Sequence, residues 1–347
     1  MRWVLTACFI GLCVTQQAMG VPQEERIELP DSVVAQHNIP DANTAVAGVY
    51  GTITAVGSDT LATLMALWAE EFKRQYPHVK FQIQATGSST ASQALTQGTA
   101  NLGPMSRELT VQEINRFTRK FGYPPTVVKV AVDAIAIFVE QNNPLRQISS
   151  EQVDGIFSVT RFCGGVQNIT NWSQLDIAKF GNNRKITAFG RNSSSGTYDL
   201  FKQQALCNGD YKANVNELSG SASIVRSVAS SIGGIGYAAL GFRNDNVRPL
   251  SIGVRQTGAN QGSINSEQHR NKITYIAPTP ENITGGKYPF WRYLYIVVNK
   301  DPEKSLPLIE RTFLAFILSE QGQMMVKENG YYPIQRSVNK QQINILF

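Results

Sequence analysis

The stretch TITAVGSDTLATLMALWAEEF, residues 52–72, decides the fold of this chain. Its first five residues, Thr52–Val56, favour a β-strand because they are β-branched or apolar. A turn at Gly57–Thr60 follows, and the apolar residues after it recur at helical spacing on one stripe. That stripe consists of Leu61, Leu64, Met65, Leu67, Trp68 and Phe72. A strand, a turn and an amphipathic helix in this order indicate an α/β fold.

Two later segments repeat the same order of strand, hydroxyl-rich turn and helix. The second is predicted as strand Val79–Ala85, turn Gly87–Thr90 and helix Ala91–Thr99, and the third as strand Lys185–Phe189, turn Gly190–Thr197 and helix Tyr198–Leu206. Two further β runs, Thr126–Glu140 and Tyr293–Asn299, are long enough to pass from one lobe to another.

The turns themselves point to a ligand. A turn between a strand and a helix lies beside unpaired N–H groups and the positive end of the helix dipole, which together bind anions. Serine and threonine are also the usual N-cap residues, so a single hydroxyl in such a turn needs no ligand. The third turn, however, carries Ser193, Ser194, Ser195 and Thr197, and the second carries Ser88, Ser89 and Thr90. This excess over one cap per helix favours an anion site.

Arg191 lies in the third turn beside these hydroxyl groups. An arginine at a strand end is often a surface group or an ion-pair partner. Next to a row of hydroxyl donors, its forked guanidinium suits a tetrahedral phosphate or sulfate.

Composition excludes several classes of protein. The chain has 347 residues, 42% of them hydrophobic and 17% charged, so it can bury a large core and is not a disordered protein. After the first twenty residues it has no apolar run of about 18 residues, which argues against an integral membrane segment. The formal charge is +6, and the cations are scattered singly, which disfavours nucleic acid as a partner.

The first twenty residues have the layout of a cleaved secretory signal peptide. Arg2 precedes an apolar stretch, and Ala18-Met19-Gly20 offers a small-residue cleavage site. A lipobox at residues 5–8 is the alternative, and it would make the protein lipid-anchored. Residues 21–50 follow as an acidic N-terminal arm without sustained periodicity.

The cysteine count bears on the compartment. Two of the four cysteines leave with the signal, and Cys163 and Cys207 remain as an even pair in an oxidising compartment. We expect a disulfide between them, with two buried thiols as the alternative. No metal site and no cofactor are expected, because the three histidines are not near a cysteine in the sequence.

Eight motifs in fixed order resemble the periplasmic phosphate-binding proteins of the high-affinity phosphate ABC transporter. They are GSDTL (57–61), ATGSSTASQAL (85–95), LGPMSREL (102–109), AVDAIAIFVEQNNPL (131–145), FGRNSSSGTYDLF (189–201), SIGGIGYAALGF (231–242), YPFWRYLYIVVNK (288–300) and FLAFILSEQGQMMVKENGYYPI (313–334). The resemblance covers nearly all of residues 51–347.

The resemblance implies a two-lobed type II periplasmic binding protein with a cleft between the lobes and two crossing hinge strands. The first lobe would contain residues 51–136 and 290–347, and the second residues 137–289. It also implies inorganic phosphate as ligand and the permease subunits of the transporter as partners. The phosphate contacts carried over to this sequence are Thr60, Ser88, Arg191, Ser195, Gly196 and Thr197.

Two positions depart from the pattern of well-known members. Many members have an aspartate directly after the serine at position 106, and this chain has Arg107 there. They also have an acid two residues after the arginine at position 191, and this chain has Ser193 there. Because monohydrogen phosphate carries a proton and sulfate does not, losing a carboxylate is expected to weaken the discrimination against sulfate. Asp59 is the candidate for a replacement acceptor, and its other roles would be an N-cap or a partner of Arg107. Ser58, Ser106, Arg107 and Ser193 complete the candidate site.

The alternatives to phosphate transport are a binding protein for sulfate or molybdate and a secreted phosphate-scavenging or adhesive protein of the same fold. A serine hydrolase is disfavoured, because the sequence has no G-x-S-x-G elbow and no histidine near the serine-rich turn. We therefore expect no enzyme activity and no catalytic residue.

Overall fold

The computed structural model describes residues 48–175, 177, 180, 184–255 and 273–346. The predicted signal peptide and residues 21–47 of the predicted arm lie outside the described residues. In the described part of the chain, no helix has the length and apolar character needed to cross a membrane.

The described chain alternates strands and helices in three groups. The first group is β1 Gly51–Val56, α1 Ala62–Gln75, β2 Val79–Gln84, α2 Ser88–Gln97, β3 Leu102–Met105, α3 Val111–Phe121 and β4 Thr126–Glu140. The second is β5 Gln147–Ser149, α4 Ser150–Phe157, β6 Thr187–Arg191, α5 Gly196–Ala205, β7 Asn216–Leu218, α6 Ser221–Ala229, β8 Gly234–Ala239, β9 Val247–Pro249, β10 Ser251–Arg255, β11 Ile273–Ile276 and α7 Pro280–Thr284. The chain then returns through β12 Trp291–Val298, α8 Leu308–Leu318, α9 Glu320–Glu328 and α10 Arg336–Leu346.

The main sheet has the strand order β2-β1-β3-β12-β4-β8-β6-β7, with β9 also paired to β4. β1 is parallel to β2 and β3, and β6 is parallel to β7 and β8. A small sheet in the order β11-β10-β5 lies apart from it. The parallel βα units place the loops after β1, β2 and β6 at carboxyl ends of strands, where α/β proteins bind ligands.

β4 passes through both halves of this sheet. Its residues up to Ala134 pair with β12, and from Ile135 onward they pair with β8. β12 is antiparallel to both β3 and β4, so it carries the chain back to the first half. The expected α/β fold with two crossing strands is confirmed, while the lobe boundaries remain predictions.

The predicted βα units are confirmed with small shifts of their ends. α1 buries Leu64, Met65, Trp68, Ala69 and Phe72, which are mostly the predicted stripe. The largest shift is at the start of α2, which begins at Ser88 rather than at Ala91. In the third unit the strand runs two residues further and ends on Arg191 itself. α5 then begins at Gly196 rather than at Tyr198. Arg191 is therefore held by a sheet, not by a loop.

The expected disulfide between Cys163 and Cys207 is present. It links the loop after α4 to the residues just beyond the C-terminal end of α5. Because α5 begins at the predicted anion site, the bridge secures the far end of a helix that forms the site.

We predict that Cys163→Ser lowers the free energy of unfolding by ~2–5 kcal/mol, because the broken bridge frees a long loop in the unfolded chain. Thermal unfolding with and without dithiothreitol checks this. The reductant should lower the melting temperature of the wild type to that of Cys163→Ser and should leave the variant unchanged. Equal melting temperatures for oxidised wild type and variant would show that the bridge contributes nothing.

Candidate functional site

The three hydroxyl-rich turns meet in one buried cluster. Thr60, Ser88, Ser195 and Thr197 are completely buried, and so is Ser106 from the loop after β3. The Oγ1 atoms of Thr60 and Thr197 lie 3.4 Å apart, and the Oγ atoms of Ser88 and Ser106 lie 3.2 Å apart. The first and third turns are 137 residues apart in the sequence. Folding therefore brings together hydroxyl groups from all three predicted turns.

The hydroxyl groups of the cluster are arranged as donors. Ser88 Oγ accepts a hydrogen bond from Ser106 N, and Ser195 Oγ accepts one from Thr197 N. Thr197 Oγ1 accepts one from Arg292 Nη1. A hydroxyl that already accepts from an N–H group keeps its own proton to donate elsewhere. The cluster thus offers several O–H donors to a ligand that can accept.

Helix ends add to this donor set. α2 begins at Ser88 and α5 begins at Gly196, so both N-terminal turns lie at the cluster. Their first N–H groups and positive dipole ends favour a negative ligand there. The cluster has the chemistry of an oxyanion site.

Arg191 supplies the cation next to the cluster and is 2% exposed. Its Nη2 donates to Asp59 Oδ1 at 2.6 Å and its Nη1 to Ser221 Oγ at 3.1 Å. Ser221 N also donates to Asp59 Oδ2 at 3.3 Å. The buried Nε of Arg191 has no hydrogen-bond partner among the described residues. A buried N–H of this kind needs an acceptor, and a bound oxyanion would supply one.

A second guanidinium lies behind the cluster. Arg292 donates to Asp133 Oδ2 through Nε at 2.9 Å and Nη2 at 2.7 Å, and both residues are almost fully buried. Burial raises the pKa of Asp133, whereas the charge and hydrogen bonds of Arg292 act in the opposite direction.

Contacts across the cleft hold the turns together. Ser194 O accepts from Ser89 N at 3.3 Å and from Ser89 Oγ at 2.9 Å. A Cβ on Gly87, whose φ is +116°, would come within 2.3 Å of the same carbonyl, so only glycine allows this approach. The structure is therefore a closed form of the cleft.

Arg107 closes the rim of the cleft with an ion pair. Its Nε donates to Asp199 Oδ2 at 2.6 Å, and Nη1 and Nη2 donate to the carboxylate of Glu113. Burial raises the pKa of Glu113, but hydrogen bonds from Arg107 and from Thr110 outweigh it, and the net pKa is lowered. Outside this rim lies a surface groove of about 960 Å³ that Ser193 lines.

The described residues contain no group of three or more His, Cys, Asp or Glu side chains able to hold a metal ion. The donor set found here is instead one for an anion.

A family model for the PBP superfamily domain matches residues 42–321. The phosphate-binding protein PstS of Pseudomonas aeruginosa PAO1 is 46% identical over 299 residues, which cover 86% of this chain and 88% of that protein. The chain belongs to the PstS family.

Other similar proteins are more distant in sequence. The phosphate-binding protein PstS of Bacillus subtilis is 26% identical over 82% of this chain and 81% of its own length. A phosphate ABC transporter substrate-binding protein of Clostridium perfringens, solved with bound phosphate, superimposes with a TM-score of 0.66 at 25% identity, covering 82% of this chain and 100% of that chain. An ABC-type phosphate transport receptor of Vibrio cholerae has the same fold, with a TM-score of 0.60 at 24% identity and coverage of 82% and 100%.

The structure corrects two roles considered for Asp59 in this PstS-family chain. The N-cap of the 3-10 turn Asp59–Leu61 is Ser58, whose side chain accepts from Thr60 N. Asp59 does not hold Arg107, because Asp59 pairs with Arg191. The carboxylate partners of Arg107 are Glu113 and Asp199.

The remaining candidates divide into buried and peripheral groups. Gly196 lies in the cluster, since a Cβ there would be 2.5 Å from Ser88 Oγ and 2.7 Å from Ser106 Oγ. Ser193 is exposed and lies outside the buried cluster. Arg107 and Ser193 occupy the two positions where the resemblance led us to expect an acid, and neither supplies a carboxylate. The carboxylate beside Arg191 is that of Asp59.

Arg292, Asp133 and Ser221 were not predicted from the sequence as residues of the candidate site. Asp133 carried a signal, because a lone acid inside the apolar run Thr126–Glu140 needs a buried partner. The sequence signal at Arg292 was weaker: it is a cation next to the apolar run Tyr293–Asn299. Ser221 carried none, because one serine at the start of a helix is what capping requires.

Proposed function

We propose that this chain is an exported solute-binding protein that captures inorganic phosphate between its lobes and delivers it to the permease subunits of an ABC transporter. The observation that carries the proposal is the buried set of O–H donors together with the buried Nε of Arg191, which has no hydrogen-bond partner in the described part of the chain. The PstS relatives and the phosphate-bound Clostridium perfringens protein support the choice of phosphate.

Phosphate would bind by replacing water with fixed dipoles and one guanidinium. Contacts are proposed from Thr60, Ser88, Arg191, Ser195, Gly196 and Thr197, drawn from both sides of the cleft. Because the full set assembles only when the lobes meet, the anion would shift the protein from an open to a closed form. No bond is made or broken in this cycle.

Asp59 is the proposed acceptor for the proton of monohydrogen phosphate. Its two oxygens each accept one hydrogen bond, from Arg191 and from Ser221 N, and a carboxylate oxygen can accept a second. The hydroxyls of Ser88, Ser195 and Thr197 already accept from N–H groups and keep their protons to donate, so they suit the unprotonated oxygens. The P–OH group would then face the carboxylate.

The organisation of the chain is part of the proposal. A signal peptide at residues 1–20 would direct export to the periplasm, and residues 21–50 would form an arm before the first lobe. Residues 51–136 and 290–347 would move as the first lobe, and residues 137–289 as the second, about β4 and β12.

A melting-temperature series with phosphate, sulfate and molybdate tests the function. A ligand at about 100 times its Kd adds ~2.7 kcal/mol to the native state. Phosphate should give the largest shift, whereas equal shifts with sulfate or molybdate would favour a less selective oxyanion-binding protein. Release of phosphate from a phosphomonoester, lost in Ser195→Ala, would instead indicate a hydrolase.

We predict that Gly196→Ala weakens phosphate binding by about tenfold or more and hardly changes the stability of the phosphate-free protein. The added methyl group would collide with Ser88 and Ser106 only when the lobes close, and alanine is favourable in a helix. Calorimetric titration measures the affinity, and denaturant unfolding without phosphate measures the stability. An unchanged affinity would contradict a closed site at Gly196.

A further inference from the structure

Arg292 joins three separate parts of the protein through one guanidinium. It pairs with Asp133 on β4, donates to Ser106 O at 3.1 Å and donates to Thr197 Oγ1 at 2.9 Å. Ser106 follows β3 and contacts Ser88 of the second turn, and Thr197 lies at the start of α5. The side chain is 5% exposed, so these contacts are made away from water.

The pair with Asp133 lies where the two crossing strands run side by side. Arg292 and Asp133 are direct partners in the antiparallel register of β12 and β4. Two residues beyond Asp133, at Ile135, β4 leaves β12 and pairs with β8. Arg292 is therefore anchored at the hinge and does not belong to either of the loops it touches.

This anchoring makes the bond to Thr197 depend on closure. A rotation of the lobes about β4 and β12 keeps Arg292 beside Asp133, because the two residues share a strand pair. The same rotation moves α5, and Thr197 with it, relative to the loop that carries Ser106. The contact between Arg292 Nη1 and Thr197 Oγ1 thus belongs to the closed form.

The contact also sets the direction of the Thr197 hydroxyl. Its neighbours are Arg292 Nη1 at 2.9 Å, which only donates, and Thr60 Oγ1 at 3.4 Å, which can donate or accept. While Arg292 donates, the Thr197 proton is directed away from it and is available to an acceptor in the cluster. Because Asp133 balances the charge of Arg292, the main contribution is orientation.

We propose that Arg292 is a positioning residue that couples lobe closure to anion retention by turning the Thr197 hydroxyl into a donor only when the lobes are closed. The inference rests on the proposed capture of phosphate and adds a residue that does not itself contact the anion. If the inference is right, phosphate is released more slowly with the contact between Arg292 and Thr197 than without it. An ion pair that merely stabilised the strands would leave the release rate unchanged.

The test compares Arg292→Gln, Thr197→Val and the double variant by stopped-flow measurement of phosphate dissociation and association. Arg292→Gln should raise the dissociation rate about tenfold and leave the association rate within about twofold. The double variant should release phosphate no faster than the faster single variant, because both substitutions remove the same hydrogen bond. Thr197→Ser keeps the hydroxyl and should retain slow release.

The set of variants includes a control for misfolding. Arg292→Gln leaves the Asp133 carboxylate buried, so Arg292→Gln combined with Asp133→Asn provides a neutral pair for the same measurement if the single variant does not fold. A wild-type release rate in either Arg292 variant, or rate increases that multiply in the double variant, would overturn the inference and leave phosphate binding standing. A wild type that binds no phosphate at millimolar concentration would overturn the proposed function and this inference together.

Discussion

Replacing Arg191 by alanine will lower phosphate affinity by about 100-fold or more and leave the fold in place. Arg191 is the cation bordering the buried hydroxyl cluster, and its Nε has no partner among the described residues. A charge-assisted hydrogen bond contributes roughly 1.5–3 kcal/mol, and more where water is excluded. Calorimetric titration and the phosphate-induced shift in melting temperature measure the loss.

Two control variants distinguish a loss of affinity caused by the missing guanidinium from one caused by misfolding. Arg191→Ala leaves Asp59 without its ion partner, so Arg191→Ala combined with Asp59→Ala tests whether folding recovers while binding does not. Arg226→Ala removes an exposed arginine from α6 in the same half of the protein and should leave affinity unchanged. Wild-type affinity in Arg191→Ala would remove this residue from the site.

The second large effect is on selectivity. We expect Asp59→Asn to reduce the preference for phosphate over sulfate by about 100-fold or more, chiefly by weakening phosphate. The amide keeps one acceptor oxygen for Arg191 but places an NH₂ where the second oxygen was, so a P–OH proton loses its acceptor. Sulfate has no such proton. Titrations with both anions give the ratio.

Asp199→Asn is the matched control for this prediction. Asp199 also pairs with an arginine across the cleft, through Arg107 at 2.6 Å, but it lies at the rim. Its replacement should weaken both anions by the same factor, because it affects closure only. If Asp59→Asn also weakened phosphate and sulfate equally, Asp59 would serve only to hold Arg191.

The turns of the site were predictable from local sequence for a physical reason. Thr60, Ser88 and Thr197 lie where a strand ends and a helix begins, and hydroxyl groups in excess of one cap per helix mark such turns. Within each half of the sheet, parallel strands bring their carboxyl ends to one edge. β6 runs antiparallel to β1 and β2, so the third turn meets the other two only because the two halves face each other. The fold follows from the same pattern, because each βα unit is recognisable within about twenty-five residues.

The partners of the charged residues were not predictable in the same way. Asp59 and Arg191 are 132 residues apart, and Asp133 and Arg292 are 159 residues apart. Which acid meets which arginine depends on strand register and on closure of the cleft, and neither is encoded locally. This is why Asp59 was considered as a partner of Arg107, whose carboxylates come instead from α3 and α5.

The most direct measurement is a crystal structure of the protein with arsenate, whose arsenic atom is located by its anomalous scattering. Arsenate has the shape and protonation chemistry of phosphate. We expect one strong peak inside the closed cleft, with arsenate oxygens at about 3 Å from Arg191 Nε, Ser88 Oγ and Ser195 Oγ. A peak elsewhere, or a closed cleft whose cluster holds no arsenic at saturating arsenate, would contradict the account.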